Sequence, residues 1–478
     1  MWEQRQRQYG RRGLGPRASL PEYRLEEPVH LVNVLLISTY DLGHQPFGLA
    51  SPAAWLAREG HTVACADLAA GKISEAAVRE AGLIAFHLPM HTATRMAMPI
   101  IERVRQLNPA ARVACYGLYA PLNRELLFGM GVESVIGGEF EPALAQLARG
   151  EAGAAMNLDR LVFLTPDRSA LPPLASYSHL RENGEAKAAG YTEATRGCKH
   201  LCRHCPVVPV YQGQFRVVQR EVVLADIRQQ VAAGARHITF GDPDFFNGPT
   251  HAIRIVEELH AEFPAVTYDV TIKIQHLKKH RDLLPALKAT GCLFVTSAVE
   301  SVDDGVLTLL DKNHTRQDFY DVASAMLGAG LALQPTFIAF MPWTTRAGYG
   351  ELLRAIADLG LIDHTAPVQL ALRLLITQGS RLLELAEIRD LVGPFDEQAL
   401  AYPWRHSDPH VDRLAAHVFA LVAKRQDEKR SRAEIFAELW ELVHGQPMPA
   451  ALRPPDAAHE VPHMDEPWYC CAEPAPQV

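Results

Sequence analysis

The sequence predicts an α/β protein: a doubly wound parallel sheet, then a partial barrel of alternating strands and helices, then a helical extension. Two observations carry this. Short apolar runs with the look of buried strands alternate with amphipathic helical stretches from Leu31 to about residue 390. Beyond Pro394 the alternation stops, and helix gives way to a proline-rich end. The 478 residues, 48% hydrophobic and 21% charged, suffice for about three packed domains. No run reaches the roughly 18 apolar residues of a membrane span. A net charge of -8 gives no electrostatic case for a nucleic-acid partner. Eight cysteines are too few for a disulfide scaffold and fit a reducing, cytoplasmic compartment.

The first 28 residues carry Arg5, Arg7, Arg11, Arg12, Arg17 and Arg24 with little apolar content, and read as a disordered basic arm. Arg11-Arg12 has no apolar segment after it, which argues against a secretory signal. Residues 29–150 follow as the first domain. Its strands are expected at Leu31–Ser38, Thr62–Leu68, Leu83–Pro89, Arg112–Gly117 and Glu133–Gly137. Its helices are expected at Ser51–Arg58, Ser74–Ala81, Thr94–Leu107, Pro121–Met130 and Glu141–Arg149, with Ser51-Pro52 as N-cap and first helical residue. Right-handed crossovers favour a five-stranded, flavodoxin-like order, with ligand loops beyond the C-terminal strand ends. No glycine-rich dinucleotide fingerprint follows the first strand. Residues 151–190 read as a linker.

The core spans residues 191–390 and opens on Cys198, Cys202 and Cys205. Three thiolates spaced this closely on one loop can hold three irons of a cubane cluster and leave the fourth iron open. Zinc, with His200 or His204 as fourth ligand, is the rival metal; a closed electron-transfer cluster would need a fourth cysteine nearby. Later strands are expected at His237–Phe240, Thr267–Ile274, Leu293–Val299, Ala332–Phe340 and Val368–Ile376, with a helix over Leu309–Leu327. Cys65, Cys115 and Cys292 read as buried apolar side chains.

The Thr195–Cys205 segment closely resembles the cysteine motif of radical-SAM enzymes. The resemblance implies a TIM-like partial (β/α)6 barrel with its site at the C-terminal strand ends. It further implies a 4Fe–4S cluster on the three cysteines and S-adenosylmethionine on the open iron, cleaved reductively to a 5'-deoxyadenosyl radical. His204 would lie near the adenine, Gly241 and Asp242 near the methionyl amino group, and Glu300 and Ser301 at the ribose. An external electron donor of flavodoxin or ferredoxin type is implied as well. The first domain, through its length, its small-residue loop ends and the Gly138-Glu139-Phe140-Glu141 turn, resembles cobalamin-binding domains that precede such cores. Asp41, His44 and Gly48 depart from the spacing of the pattern in which histidine ligates cobalt, so no such ligand is expected from that loop. His44, His87 and His91 read as ordinary loop and strand-end residues.

Residues 391–446 read as a helical extension, and residues 447–478 as a proline-rich tail draped over the surface. Within it, Cys470-Cys471-Ala472-Glu473-Pro474 resembles the tail of a radical-SAM group ending in Cys-Cys-Ala-Glu-Pro or its selenocysteine form. That resemblance implies reactive thiols at the barrel mouth, with Cys470 and Cys471 as catalytic candidates. The leading expectation is a radical enzyme with cobalamin, performing methyl transfer or rearrangement on a small molecule or peptide. The alternatives are a cobalamin-independent enzyme using the tail dithiol in sulfur, selenium or metalloid chemistry, and a non-catalytic Fe–S or zinc redox sensor.

Overall fold

The computed structural model describes residues 31–454, 460–466 and 472–473. The basic arm, Cys470 and Cys471 lie outside the described residues. The first sheet contains β1 (Asn33–Ser38), β2 (Thr62–Asp67), β3 (Leu83–His87), β4 (Arg112–Tyr116), β5 (Ser134–Gly138) and a short β6 (Met156–Asn157). Their order is β2-β1-β3-β4-β5-β6, all parallel, which is the flavodoxin-like order extended by one strand. Apolar residues on both sheet faces pack under helices, giving two separate cores.

The first helix differs from expectation. It runs Phe47–Arg58, so Ser51 and Pro52 lie inside it rather than at its start. Proline at position 52 has no N–H for the Gly48 carbonyl. That carbonyl instead accepts the buried Tyr116 hydroxyl at 2.7 Å. The bond frees the helix to begin one turn early.

The expected linker is also corrected. Residues 179–192 form a hairpin, β7 (His179–Glu182) and β8 (Glu185–Thr192), turning at Asn183-Gly184 with both residues at positive φ. Asn-Gly is the residue pair such a two-residue turn favours. Strand β8 is the first strand of the barrel sheet.

A short ribbon, β9 (Thr195–Gly197) with β10 (Phe215–Val217), brackets the cysteine loop. The barrel continues with β11 (His237–Phe240), β12 (Thr267–Thr271), β13 (Cys292–Glu300) and β14 (Ala332–Phe337). The expected helix 309–327 is broken. Asp304–Leu309 and Arg316–Gly328 are separate, the second started by a Thr315/Asp318 capping box. The sixth strand shrinks to β15 (Arg373–Leu374), because residues 367–370 wind into a 3-10 turn. Helices Pro409–Asp427 and Arg432–His444 form the extension and pack on the barrel core.

Two short strands end the described chain, β16 (His463–Met464) and β17 (Ala472–Glu473). The curled seven-stranded sheet has the order β14-β13-β12-β11-β8-β7-β16. Residues 460–466 do not drape over the surface; they form a strap across the sheet's open side. Glu460 accepts from the Gly184 amide, and β16 pairs with β7. The Pro462 carbonyl accepts from Gln334 of β14, at the opposite edge, and Glu466 accepts from Tyr40 of the first domain. A curled sheet that stops short of closure leaves edges and interior polar groups exposed, and the strap covers them. Residues 472–473 pair antiparallel with β15.

Replacing Tyr116 by Phe should lower stability by about 1–3 kcal/mol, the cost of a buried carbonyl without a donor. Adding Pro52→Ala, which restores a helical N–H, should recover part of the loss. Urea midpoints of the three proteins check both statements.

Candidate active site

The cysteine loop is held by backbone contacts that only particular residues permit. Gly197 sits at φ +73°, and a Cβ there would come within 2.3 Å of the Tyr211 ring. Asn247 donates to the Gly197 carbonyl and accepts the Lys199 amide. On the far side, Arg203 N–H donates to Leu310 O, and the Arg381 guanidinium caps the Leu201 carbonyl at 2.7 Å. The loop thus presents Cys198 and Cys202 buried and Cys205 half-buried. Burial pushes the Cys198 thiol up to about 12. A free thiolate there is therefore disfavoured, and bound iron, which takes thiolate ligands, would supply the missing positive charge. Lys273, itself buried, already stands 3.4 Å from Cys202 Sγ. Three thiols on one loop, with a buried ammonium beside Cys202, fit a cluster of iron and sulfide.

Around the loop the barrel places polar groups of two kinds. Glu300 ends β13 at φ +67°, where the register against β14 shifts. Its carboxylate accepts from His204 Nε2 at 3.1 Å and from Lys312 Nζ at 3.3 Å. Burial alone would raise its pKa, but the Lys312 charge and the His204 hydrogen bond prevail and hold it at about 2. Burial and the Lys312 charge push His314 down to about 3. Asp244 lies 2.6 Å from His276 Nδ1 and 3.5 Å from His200 Nε2. Against the effect of burial, hydrogen bonds from both imidazoles keep Asp244 at about 2.

The sequence-derived candidates are gathered only in part. His204 and Glu300 meet. Gly241 lies tight against the Tyr191 ring, where no Cβ fits. Asp242 accepts from the Ala194 amide at 2.8 Å and the Thr195 hydroxyl at 2.5 Å, so it braces the approach to the cysteines. Ser301 accepts the Asp303 amide. Lys273, Lys312, Asp244, His276 and His314 are not among the sequence-derived site candidates, although Lys312 and His314 fall in one Lys312-Asn313-His314-Thr315 segment; they converge only through the barrel. Cys115 and Cys292 are buried as expected, whereas Cys65 is half-buried, and burial raises all three thiols.

Arg196, two residues before Cys198, joins the barrel to the first domain. Its guanidinium reaches Glu139 at 3.1 Å, Glu141 at 2.7 Å and Glu193 at 2.7 Å, and lies against the Phe47, Phe140 and Phe163 rings. Three carboxylates on one cation leave excess negative charge in a buried place. Burial, with Glu141 and Glu193 alongside, raises Glu139 to about 7 despite Arg196.

Two cavities adjoin. One of about 180 Å³ lies between the C-terminal ends of the first sheet's strands and the cysteine loop, lined by Gly48, His87, Gly117, Gly138, Arg196 and Tyr211 among others. The other, about 220 Å³, fills the barrel interior down to the strap. They share Asp41, Leu118, Tyr191, Val207, Gly241 and Pro243. His44, 4.8 Å from Tyr191, lines the barrel cavity and not the cleft.

With the cysteine loop at the mouth of a parallel half-barrel, residues 192–355 match the model of the radical SAM superfamily. This segment is a radical SAM domain. The domain implies a 4Fe–4S cluster and S-adenosylmethionine. It is 24% identical over 200 residues to tRNA-2-methylthio-N(6)-dimethylallyladenosine synthase of Pseudomonas fluorescens, covering 40% of this chain and 45% of that protein. It is 26% identical over 191 residues to the ribosomal protein uS12 methylthiotransferase RimO of Syntrophotalea carbinolica, covering 36% and 40%. The matches thus span less than half the length of these relatives. Among solved structures, the radical SAM methyltransferase TsrM from Kitasatospora setae, with tryptophan and a SAM analogue bound, superposes with TM-score 0.56. Identity is 18%, over 69% of this chain and 71% of that one. The cobalamin-dependent radical enzyme OxsB superposes with TM-score 0.65 at 13% identity, covering 82% and 66%. These likenesses establish a shared two-domain fold. Among the described residues no helix is long and apolar enough to cross a membrane.

The folded chain keeps a proton on Glu139 that the unfolded chain releases near 4.5, so stability should fall as pH rises from about 4.5 to about 7. Glu139→Gln should flatten that part of the profile. Urea midpoints at pH 5 and pH 7.5 for both proteins decide it.

Proposed function

We propose that this chain is a cobalamin-dependent radical SAM enzyme that modifies a carbon of a small substrate, by methyl transfer in the first instance. The observation that carries the reading is the pair of adjoining cavities: a cleft at the strand ends of the flavodoxin-like sheet lies beside a chamber in the barrel, and the two share wall residues. TsrM and OxsB, which share the fold, have been solved with cobalamin bound. Gly48, Gly117 and Gly138 line the cleft, with the His87 ring packed against Gly48 and Gly117. Cobalamin there would supply a transferable methyl group or an electron relay. His44 lines the chamber and not the cleft, so that loop would offer no imidazole to a corrinoid held in the cleft.

In this reading Cys198, Cys202 and Cys205 hold the cluster, and an electron donor of flavodoxin or ferredoxin type reduces it. Lys273 lowers the energy of the added electron by standing beside Cys202. Glu300, braced by Lys312 and His204, receives the ribose hydroxyls together with Ser301, and His204 sits by the adenine. Gly241 admits the methionyl group close to the backbone.

A second role concerns the tail. Glu466 lines the chamber and Ala472 pairs with Leu374 of β15, so the described residues on either side of Cys470 and Cys471 stand at the barrel. This supports the dithiol acting on the substrate or on an intermediate.

Anaerobic reconstitution with iron, sulfide and hydroxocobalamin tests the proposal. It should give a cluster of about four irons, corrinoid that co-elutes with the chain, and 5'-deoxyadenosine from S-adenosylmethionine. Leu118→Trp, filling the shared wall, should lose corrinoid while keeping iron. An intact cluster that makes no 5'-deoxyadenosine would overturn the enzyme reading in favour of a redox sensor. Lys273→Met should bind iron yet show a more negative cluster midpoint potential by electron paramagnetic resonance titration.

A further inference from the structure

The barrel chamber carries a charge pattern that speaks to its ligand. Asp269, on the inner face of β12, is 5% exposed. Its Oδ1 accepts from His237 Nε2 at 2.9 Å and from the Thr239 hydroxyl at 2.7 Å, and His237 is itself fixed through Nδ1 to Thr267 at 2.8 Å. Both of these bonds fall on Oδ1, and Asp269 lines the chamber. A second buried group points the same way: Thr336, on β14, lines the chamber with its hydroxyl unpartnered.

The lining holds four carboxyl side chains, Asp41, Asp242, Asp269 and Glu466, against one guanidinium, Arg432. Arg432 is engaged elsewhere, donating to the Asp363 carbonyl at 2.7 Å. The three lining imidazoles, His44, His364 and His463, are all pushed toward the neutral form by burial. Asp41 is raised to about 8 by burial and neighbouring carboxylates, and so is neutral. Asp242 is committed to the Ala194–Thr195 segment. A buried carboxylate that faces a cavity is costly until a charged donor fills the place. His44, which feels the Asp269 charge, is pushed toward the neutral form by burial, so it brings no charge to that carboxylate.

We infer that the substrate is a small molecule bearing a protonated amine, which docks on Asp269 and reaches the Thr336 hydroxyl with a polar group further along. The inference rests on the barrel cavity being the substrate chamber of the proposed radical enzyme. His237 and Thr239 fix the carboxylate from behind, so the ammonium meets an oxygen already oriented. The strap forms the chamber's far wall, with Met464 Sδ 4.0 Å from Thr239 Oγ1.

The test uses the iron-reconstituted full chain and three probes of one length: 1,4-diaminobutane, 1,4-butanediol and succinate. Calorimetry should find the diamine bound at least tenfold more tightly than the diol or the dianion. Asp269→Asn should reduce that preference to within about threefold, the loss of one charge-assisted contact being worth about a factor of ten. Met464→Lys, which places an ammonium within reach of Asp269, should weaken diamine binding at least tenfold without touching Asp269. No diamine binding, equal binding of the diol, or a preference unchanged in both variants overturns the inference. Formation of 5'-deoxyadenosine, measured on the same preparations, reports separately on the radical reading.

Discussion

One buried guanidinium ties the two sheets together. Arg196 leaves β9 one residue before the glycine that opens the cysteine loop, yet two of its three carboxylate partners come from the end of the first sheet. Removing a charge from water costs several kcal/mol unless partners replace the hydration, and here three carboxylates and three phenyl faces do so. The position of the cysteines is therefore set by the first domain as well as by the barrel. Ser51, inside a helix that starts a turn early, adds its hydroxyl to Glu141 at 2.5 Å, so even the proline at position 52 bears on the loop.

Much of this architecture was legible in the sequence because it depends on local periodicity. The parallel order of the first sheet followed from strand–helix alternation and short connections. The cysteine spacing singled out a candidate cluster loop, since three thiols so close can face one point. Other features were legible but passed over. Asn183-Gly184 is a hairpin signal, and it marks the turn that turns a supposed linker into barrel strands. His237 and Thr239 on β11, and Thr267, Asp269 and Thr271 on β12, alternate at period two. That spacing marks a polar inner face, but the strands are short and mixed with apolar residues.

What the sequence could not carry is contact between distant segments. Lys273 and Lys312 meet the cysteine loop and Glu300 only because successive strand ends converge. The strap at residues 460–466 lies some 280 residues from the hairpin it pairs with, and its composition, rich in proline and acid, reads as unstructured. It orders because it supplies what the open side of a half-barrel lacks: a pairing strand for β7, an acceptor for Gln334, and Asp465 for Ser178 and the His179 amide.

This closure also separates two tasks that an open barrel would mix. A radical enzyme must admit a substrate and then keep water and oxidants from the reacting carbon. The cysteine-loop face is covered by the first domain, through Arg196 and the aromatic wall, while residues 460–466 cover the opposite side. Residues shared by the two cavities, notably Tyr191 and Gly241, mark the junction between them. Gly241 has no side chain to offer, and the Tyr191 ring lies where its Cβ would be, so the junction is shaped by one aromatic from each direction: Tyr191 of β8, with His44 of the first domain stacked near it. A group passing between cleft and chamber meets that pair first, which makes the loop Tyr40–His44, tied to the strap through Glu466, the place where both domains and the tail act on one point.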